Sequence, residues 1–445
     1  MDIRDFQRLV LEKAKEAGFS DCEIYYRKDE SFQAAVSGGE IEHYETSATA
    51  GASFRGVTDG RPGYSYTERF DSEAADFIVK AAAENAGISE REDMILYGGG
   101  DCAGADLYNK ELDNVTADEK LSLLKKTEEC ALGYSPKVRA ADRCVFGDER
   151  TTVSIMNTRG LDCSYSANGA VAYISVISAE GEDVKTGGEF FAGNDLSLFD
   201  PKALGESAAE QAEGMLGAKT VKSGAYRVVF KNTAMADILG TFSGAFTGEQ
   251  VCKGLSMLEG KEGREIAGAK VSIRDDALLE GGPASAVFDG EGVPCKNKAV
   301  VENGVLKTLL YDLKYAAKCG KESTGNGFRS GYRSQVFCAP SNFYIVPSEK
   351  SVENVIADAK EGLYITDVEG LHAGANTVSG DFSLSAMGYR IENGRLGAPV
   401  EQITVAANFF ELLKNIEDVA SDLRFNMGGS GSPAVTVKNI SVSGS

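Results

Sequence analysis

The chain has 445 residues, 42% hydrophobic and 25% charged, a globular composition long enough for two or three domains with cores of their own. Its 67 acidic residues against 46 basic ones leave a net charge of −21. Such a surface repels a phosphate backbone, and with no basic run longer than Lys125-Lys126 or the Arg329–Arg333 stretch, direct nucleic-acid binding is argued against.

From the N-terminus, Asp2 to Ala17 has helical spacing (Phe6, Leu9, Val10, Ala14), with Asp2 to cap it and Gly18 to stop it. The charges in this first segment do not suit a signal peptide, and no window holds roughly 18 consecutive apolar residues, so a cytoplasmic protein without a membrane span is expected. Short extended segments follow at Cys22–Arg27, Ser31–Ser37, Glu40–Thr46 and Thr49–Arg55, broken at Gly38-Gly39 and Asp59-Gly60. Ser72–Ala86 reads as a second helix, and Gly98–Gly104 as a loop. Thr116–Leu132 is a third helix, Val138–Asp183 a run of strands with a hairpin turn at Asn157–Gly160, and Pro201–Leu216 a helix again.

Gly217–Gly224 marks a boundary. The spacing then predicts a helix over Thr233–Phe246, later helices at Ser351–Lys360 and Asn408–Ser421, hairpins at Asn303-Gly304 and Asn393-Gly394, and a closing strand from Pro433. The fold class expected is α+β: an N-terminal α/β domain over residues 1–218, divisible into 1–97 and 98–218, and a largely antiparallel β domain with a few helices over 222–445. The nine cysteines are scattered, odd in number and without a CxxC pair, so reduced thiols are expected rather than a disulfide framework or zinc ribbon.

Six phrases in the C-terminal half, taken in order, resemble the TldD/PmbA family. They are Phe288-Asp-Gly-Glu-Gly-Val-Pro, Glu302-Asn-Gly-Val-Leu, Ser323-Thr-Gly-Asn-Gly-Phe-Arg, Gly370-Leu-His-Ala-Gly-Ala-Asn-Thr-Val-Ser-Gly-Asp-Phe-Ser, Gly388-Tyr-Arg-Ile-Glu-Asn-Gly-Arg and Pro399-Val-Glu-Gln-Ile-Thr-Val-Ala-Ala-Asn. Each is a weak signal, since glycine turns are common; the ordered set is specific, and the likeness extends over nearly the whole chain. The resemblance implies a cytoplasmic protein that pairs with a TldD-type chain around an enclosed channel and acts on unfolded or leader peptides. It also carries the label of a modulator of DNA gyrase. In TldD-type members a helix bears a His-Glu-x-x-x-His motif, and a late Cys completes a zinc site.

Hydrolytic zinc needs about three protein ligands and an open position, and the motif places two His on one helix face with a Glu as base. This chain has two His, His43 and His372, far apart. The segment corresponding to the zinc helix is Gly240–Cys252, and the one corresponding to the Cys-bearing loop is Asp422–Pro433, which has no Cys. The expectation is therefore a PmbA (TldE-like) chain with no catalytic or metal residues and no cofactor of its own, zinc residing in a TldD-type partner. The alternative is a homodimeric peptide-binding protein without a peptidase partner. A standalone peptidase built on His372 and a Ser or Cys ranks last, because a loop His bonded to backbone is the plainer reading. His43, in a strand candidate, is given no role. The stretch expected to line a peptide channel or touch the partner comprises His372, Gly374, Asn376, Ser379, Gly380, Asp381 and Phe382; a structural turn explains it equally well.

Overall fold

The first helix, α1 (Ile3–Glu16), starts where the Asp2 carboxylate accepts from the Arg4 N–H, and it buries Phe6, Val10 and Ala14. The computed structural model describes residues 1–92, 94–99 and 106–445; the Gly98–Gly104 loop expectation falls partly outside them. After α1 come β1 (Asp21–Ser37), β2 (Glu40–Thr58), β3 (Arg61–Thr67), α2 (Ser72–Ile88), α3 (Lys110–Asn114) and α4 (Ala117–Gly133). The N-terminal half then closes with β4 (Val138–Asn157), β5 (Asp162–Glu180), β6 (Asp183–Gly193) and α5 (Pro201–Gly214).

The six strands form one antiparallel sheet, ordered β3-β2-β1-β4-β5-β6. Because side chains alternate along a strand, the even-numbered residues of β1 share one face, and along its length they serve two cores. Its residues Cys22, Ile24 and Tyr26 pack with α1 and α2, and Phe32, Ala34 and Val36 pack with α4 and α5. Helices α1, α2, α4 and α5 thus cover one face. Tyr25, Val153, Ile155 and Cys163 point the other way and meet Val287 and Phe288 of the C-terminal half.

That half begins with β7 (Gly224–Phe230), α6 (Asn232–Phe242), a 3₁₀ turn over Ser243–Phe246 and α7 (Gly248–Cys252). It continues with β8 (Ile273–Asp276), β9 (Asn297–Glu302), β10 (Val305–Leu306), α8 (Leu313–Lys318), β11 (Gly327–Phe328), β12 (Phe337–Cys338) and β13 (Phe343–Ile345). Next are α9 (Val352–Ala359), β14 (Gly362–Glu369), α10 (Leu371–Gly374), β15 (Asp381–Glu392) and β16 (Arg395–Asn408). The chain ends with α11 (Phe409–Lys414), β17 (Ile416–Val419), β18 (Arg424–Phe425), β19 (Ser430–Ser432) and β20 (Val435–Ser443).

Twelve of these strands make two further six-stranded sheets, β10-β9-β8-β13-β19-β18 and β16-β15-β14-β7-β20-β17, and β11 pairs with β12. Pairing is mostly antiparallel; β7 with β14 and β13 with β19 are parallel. The apolar helix α6 lies against both sheets, burying Met235, Ile238, Leu239 and Phe242, and Phe242 stacks on Phe409 at 4.6 Å. The fold is α+β with a β-rich C-terminal region, as the sequence predicts.

Three local expectations need correction. The paired segments expected before residue 56 are single long strands, β1 and β2, because their antiparallel ladder runs unbroken through Lys28–Glu30 and Ala48–Ala50. The helix expected over Asn408–Ser421 stops at Lys414, and Ile416–Val419 pairs with β20 instead: tertiary pairing overrides helical spacing. Cys163, buried on β5, is disulfide-bonded, so uniformly reduced thiols are not what the fold holds. Linear spacing carries no information about which sulfurs a sheet brings together.

Candidate functional site

The two halves of the chain are joined through buried charge. Arg55 on β2 binds Glu23 on β1 at 2.8 Å and Glu291 at 3.3 Å. Arg329 reaches the same Glu23 at 2.8 Å and also donates to the Gly290 carbonyl and the Ser53 hydroxyl. Its guanidinium stacks on Tyr25, 4.7 Å from the ring centre. Glu291 accepts from the Leu313 N–H. Next to it, Asp289 takes N–H bonds from Glu291, Val293 and Gly327. Burial, followed by the neighbouring Glu291 charge, pushes the Asp289 carboxyl up to about 8. Two of the sequence phrases, 288–294 and 323–329, are therefore the C-terminal side of an ionic clamp on the N-terminal sheet. A third anchor lies behind them: Asn326 donates to Asp275, which Lys298 also contacts at 2.8 Å.

Beyond the clamp the same sheet face is uncovered and floors a cleft of about 800 Å³. Small and polar residues of β1, β4, β5 and β6 make the floor, among them Ser31, Gln33, Gly147, Thr151 and Gly169. The turn 280–283, Ser285 and Met427 form the opposite wall. A backbone-binding groove would have this character: wide, polar, and poor in large side chains on its floor. A second open feature is the outer edge of β2. β3 covers only Ala52–Thr58 of that strand, leaving the edge from Glu40 to Gly51 without a neighbour among the described residues, and Ile41 and Tyr44 are exposed on it.

At one end of the cleft wall, the loop 422–433 folds over α6. Asn426 donates to the Asp237 carboxylate at 2.8 Å, and Asn232 donates to the Asp422 carbonyl. The approach is close: a Cβ on Gly240 would stand 2.9 Å from the Ser430 hydroxyl, so a side chain there would press on the loop. Burial raises the Asp237 carboxyl. Arg424 in the same loop is paired with Glu189 on β6 and stacks on Phe190. Burial works to raise the Glu189 carboxyl, but the Arg424 bond and charge outweigh it and hold it low. Burial also lowers the ammonium of Lys231, just before α6. The two segments that the resemblance pairs in a zinc site do lie side by side. They meet at Gly240 and Ser430, with the Asn426–Asp237 pair just before the first segment, and no set of three or more His, Cys, Asp or Glu side chains gathers as metal ligands among the described residues.

The remaining expected residues lie elsewhere. His372 is exposed on α10, and His43 is exposed on β2, 3.4 Å from Glu45. Asn376 caps the N–H groups of Val378 and Ser379; Ser379 donates to Asp381; and Asn408 donates to the Ser379 carbonyl and to Asp381. Gly374 packs tightly against the Ser383 carbonyl and Gly380 against Phe410, and Phe382 is buried in the C-terminal core near Phe242. None of the seven lines the cleft. Glu23, Arg55 and the cleft floor carry no sequence signal of their own; Arg329 lies 306 residues from Glu23, and Glu291 236 from Arg55.

Comparison with known proteins agrees over the whole length. Residues 22–86, 110–216 and 223–444 match, respectively, domain 1, the central domain and the C-terminal domain of the PmbA/TldA metallopeptidases. A crystal structure from Thermotoga maritima, described as a proposed modulator of a DNA gyrase, is 31% identical, with a TM-score of 0.93 over 99% of this chain and 100% of that one. The crystal structure of TldE from Thermococcus kodakarensis shares the fold, at 23% identity and a TM-score of 0.91 over 99% and 100% of the two chains. The protein named metalloprotease PmbA in Escherichia coli O157:H7 is 24% identical over 94% of this chain and 92% of its own.

Proposed function

The chain belongs to the PmbA/TldD metallopeptidase family, and from that membership we propose that it is the PmbA (TldE-like) subunit of a peptidase complex, lacking zinc itself and assisting a zinc-bearing TldD-type chain. One observation carries this reading. Gly240–Cys252 and Asp422–Pro433, the segments that the resemblance pairs in a zinc site, hold no histidine, and where they meet Gly240 faces Ser430 beside the Asp237–Asn426 pair, with no paired imidazoles and thiolate. The two histidines of the whole chain sit on β2 and α10, on different sheets' elements, and neither faces α6 with a second ligand. A single carboxylate held by Asn426 cannot replace about three ligands.

The subunit's part in the work is to receive unfolded or leader peptide in extended form. The cleft floor and the open β2 edge support that role, since extended backbone is recognised without sequence preference by strand edges and polar grooves. The loop 370–382, with His372 and Asn376 exposed and its polar groups satisfied internally, is assigned to contact with the partner chain or the channel wall. The reading places the complex in the cytoplasm and makes any effect on gyrase indirect, through peptide degradation.

Co-purification tests it. Mixed with a TldD-type chain from the same genome, this protein is expected to elute as a 1:1 complex that cleaves unfolded peptide, while alone it cleaves none. A homodimer that ignores the TldD-type chain would favour a peptide-binding protein without a peptidase partner. Cleavage by the isolated chain that survives chelation and disappears in His372→Ala would point to a standalone enzyme.

A further inference from the structure

Behind the cleft lies a second, smaller chamber of about 340 Å³, within the roughly 300–1,000 Å³ of small-ligand sites. Thr151 and Ser285 line both spaces, so the two are neighbours at one junction. Its walls are unlike the cleft's. Tyr165 stands edge-on to Phe288 at 4.9 Å, and Tyr25 lies under the Arg329 guanidinium. Val153, Phe328 and Ala286 add apolar surface, and Arg27, Asp289 and Ser341 supply polar groups.

Most of those polar groups are already engaged. Arg27 is held by Asp29, Arg329 by Glu23 and the Gly290 carbonyl, Asp289 by three N–H groups, and Ser341 by Asp275. The Tyr165 hydroxyl is different: no hydrogen bond joins it to a described residue, and it is not one of their fully buried unpaired polar atoms, so it is open to the chamber. The chamber thus presents aromatic faces and edges, a free phenolic donor, and no spare charge.

We propose that this chamber is an anchoring pocket for one aromatic side chain of a peptide lying in the outer cleft, an inference that rests on the peptide-handling role above. Aromatic rings fit its edge-to-face walls, and a polar atom of the bound residue would take the Tyr165 hydroxyl's hydrogen bond. The cleft would bind backbone without preference, and the chamber would select one residue along it. An aromatic anchor is also the type of residue that carries most of the binding energy where a side chain enters a well-packed pocket.

The test uses the isolated full-length chain and two small probes, N-acetyl-tyrosinamide and N-acetyl-alaninamide, titrated by NMR. The tyrosine probe is expected to bind at least tenfold more tightly than the alanine probe. Val153→Phe, which fills the chamber from its sheet side, should abolish that preference, whereas Val153→Ala, which enlarges it, should keep it. Tyr165→Phe preserves the ring and should weaken the tyrosine probe severalfold; it also serves if Val153→Phe does not fold. Equal binding of the two probes, or a preference unchanged in Val153→Phe and Tyr165→Phe, overturns the proposal. Because the probes need no partner chain, this outcome is read separately from peptide cleavage by the mixture, which tests the parent reading.

Discussion

At the scale of single residues, the fold depends on charges that share no water. Glu23 and Arg329 are each almost fully buried, and the bond between them spans 306 residues of sequence. A buried pair adds little net stability over an apolar replacement, but removing one member leaves the other charged and unsolvated, at a cost of about 3–5 kcal/mol. Glu23→Ala, which leaves the buried Arg329 guanidinium with no carboxylate, is therefore expected to lower unfolding free energy by that amount in urea denaturation, with protease sensitivity at the junction of the two halves. An unchanged midpoint would mean that the clamp is not structural. Asp289 gives a pH signature. Its carboxyl is raised in the fold from 3.8 to about 8, so the folded protein holds this proton more tightly than the unfolded chain. The associated stability is fully present below pH 3.8 and is lost as pH rises toward about 8. Asp289→Asn should flatten the fall in stability across that interval, measured as denaturation midpoint against pH, although loss of one N–H acceptor lowers the curve as a whole. The sequence announces 288–294 only as a glycine turn. Its role as a clamp was not legible, because Glu23 and Arg55 are brought to it by the sheet.

At the scale of elements, local chemistry explains most of what could be read in advance. Helix α4 starts with a capping box: Thr116 accepts from the Glu119 N–H, and the Glu119 carboxylate accepts from the Thr116 N–H. Thr116→Ala should cost about 1 kcal/mol, seen as a lower thermal midpoint. Two helices on the sheet's covered face approach closely at Gly205 of α5, where a Cβ would stand 2.4 Å from the Thr127 carbonyl oxygen. Gly205→Ala would gain helix propensity in isolation; here it should destabilise by about 1–3 kcal/mol, because α4 and α5 must move apart. A more stable variant would contradict the packing. The Asp2 cap made α1 readable, helical stretches marked α2, α4 and α5, and the turns at Asn303-Gly304 and Asn393-Gly394 marked both hairpins; the caps at Asp71, Thr116 and Asp200 emerge only in the fold. What could not be read was pairing: Ile416–Val419 looks helical until β20 is beside it.

At the scale of the whole molecule, one long sheet buries one face under four helices and turns the other toward the C-terminal half. There the clamp closes one part and leaves the cleft over the rest. The histidine count was legible from the first reading; the juxtaposition of α6 with loop 422–433 was not, since 189 residues separate Asp237 from Asn426. The account stands on what that juxtaposition contains. Metal analysis of the purified chain, alone and after assembly with a TldD-type chain, tests it most directly. Less than a tenth of an equivalent of zinc is expected in the isolated protein, unchanged in Asp237→Ala, against one equivalent per heterodimer. One tightly held equivalent in the isolated chain, lost on Asp237→Ala, would contradict it.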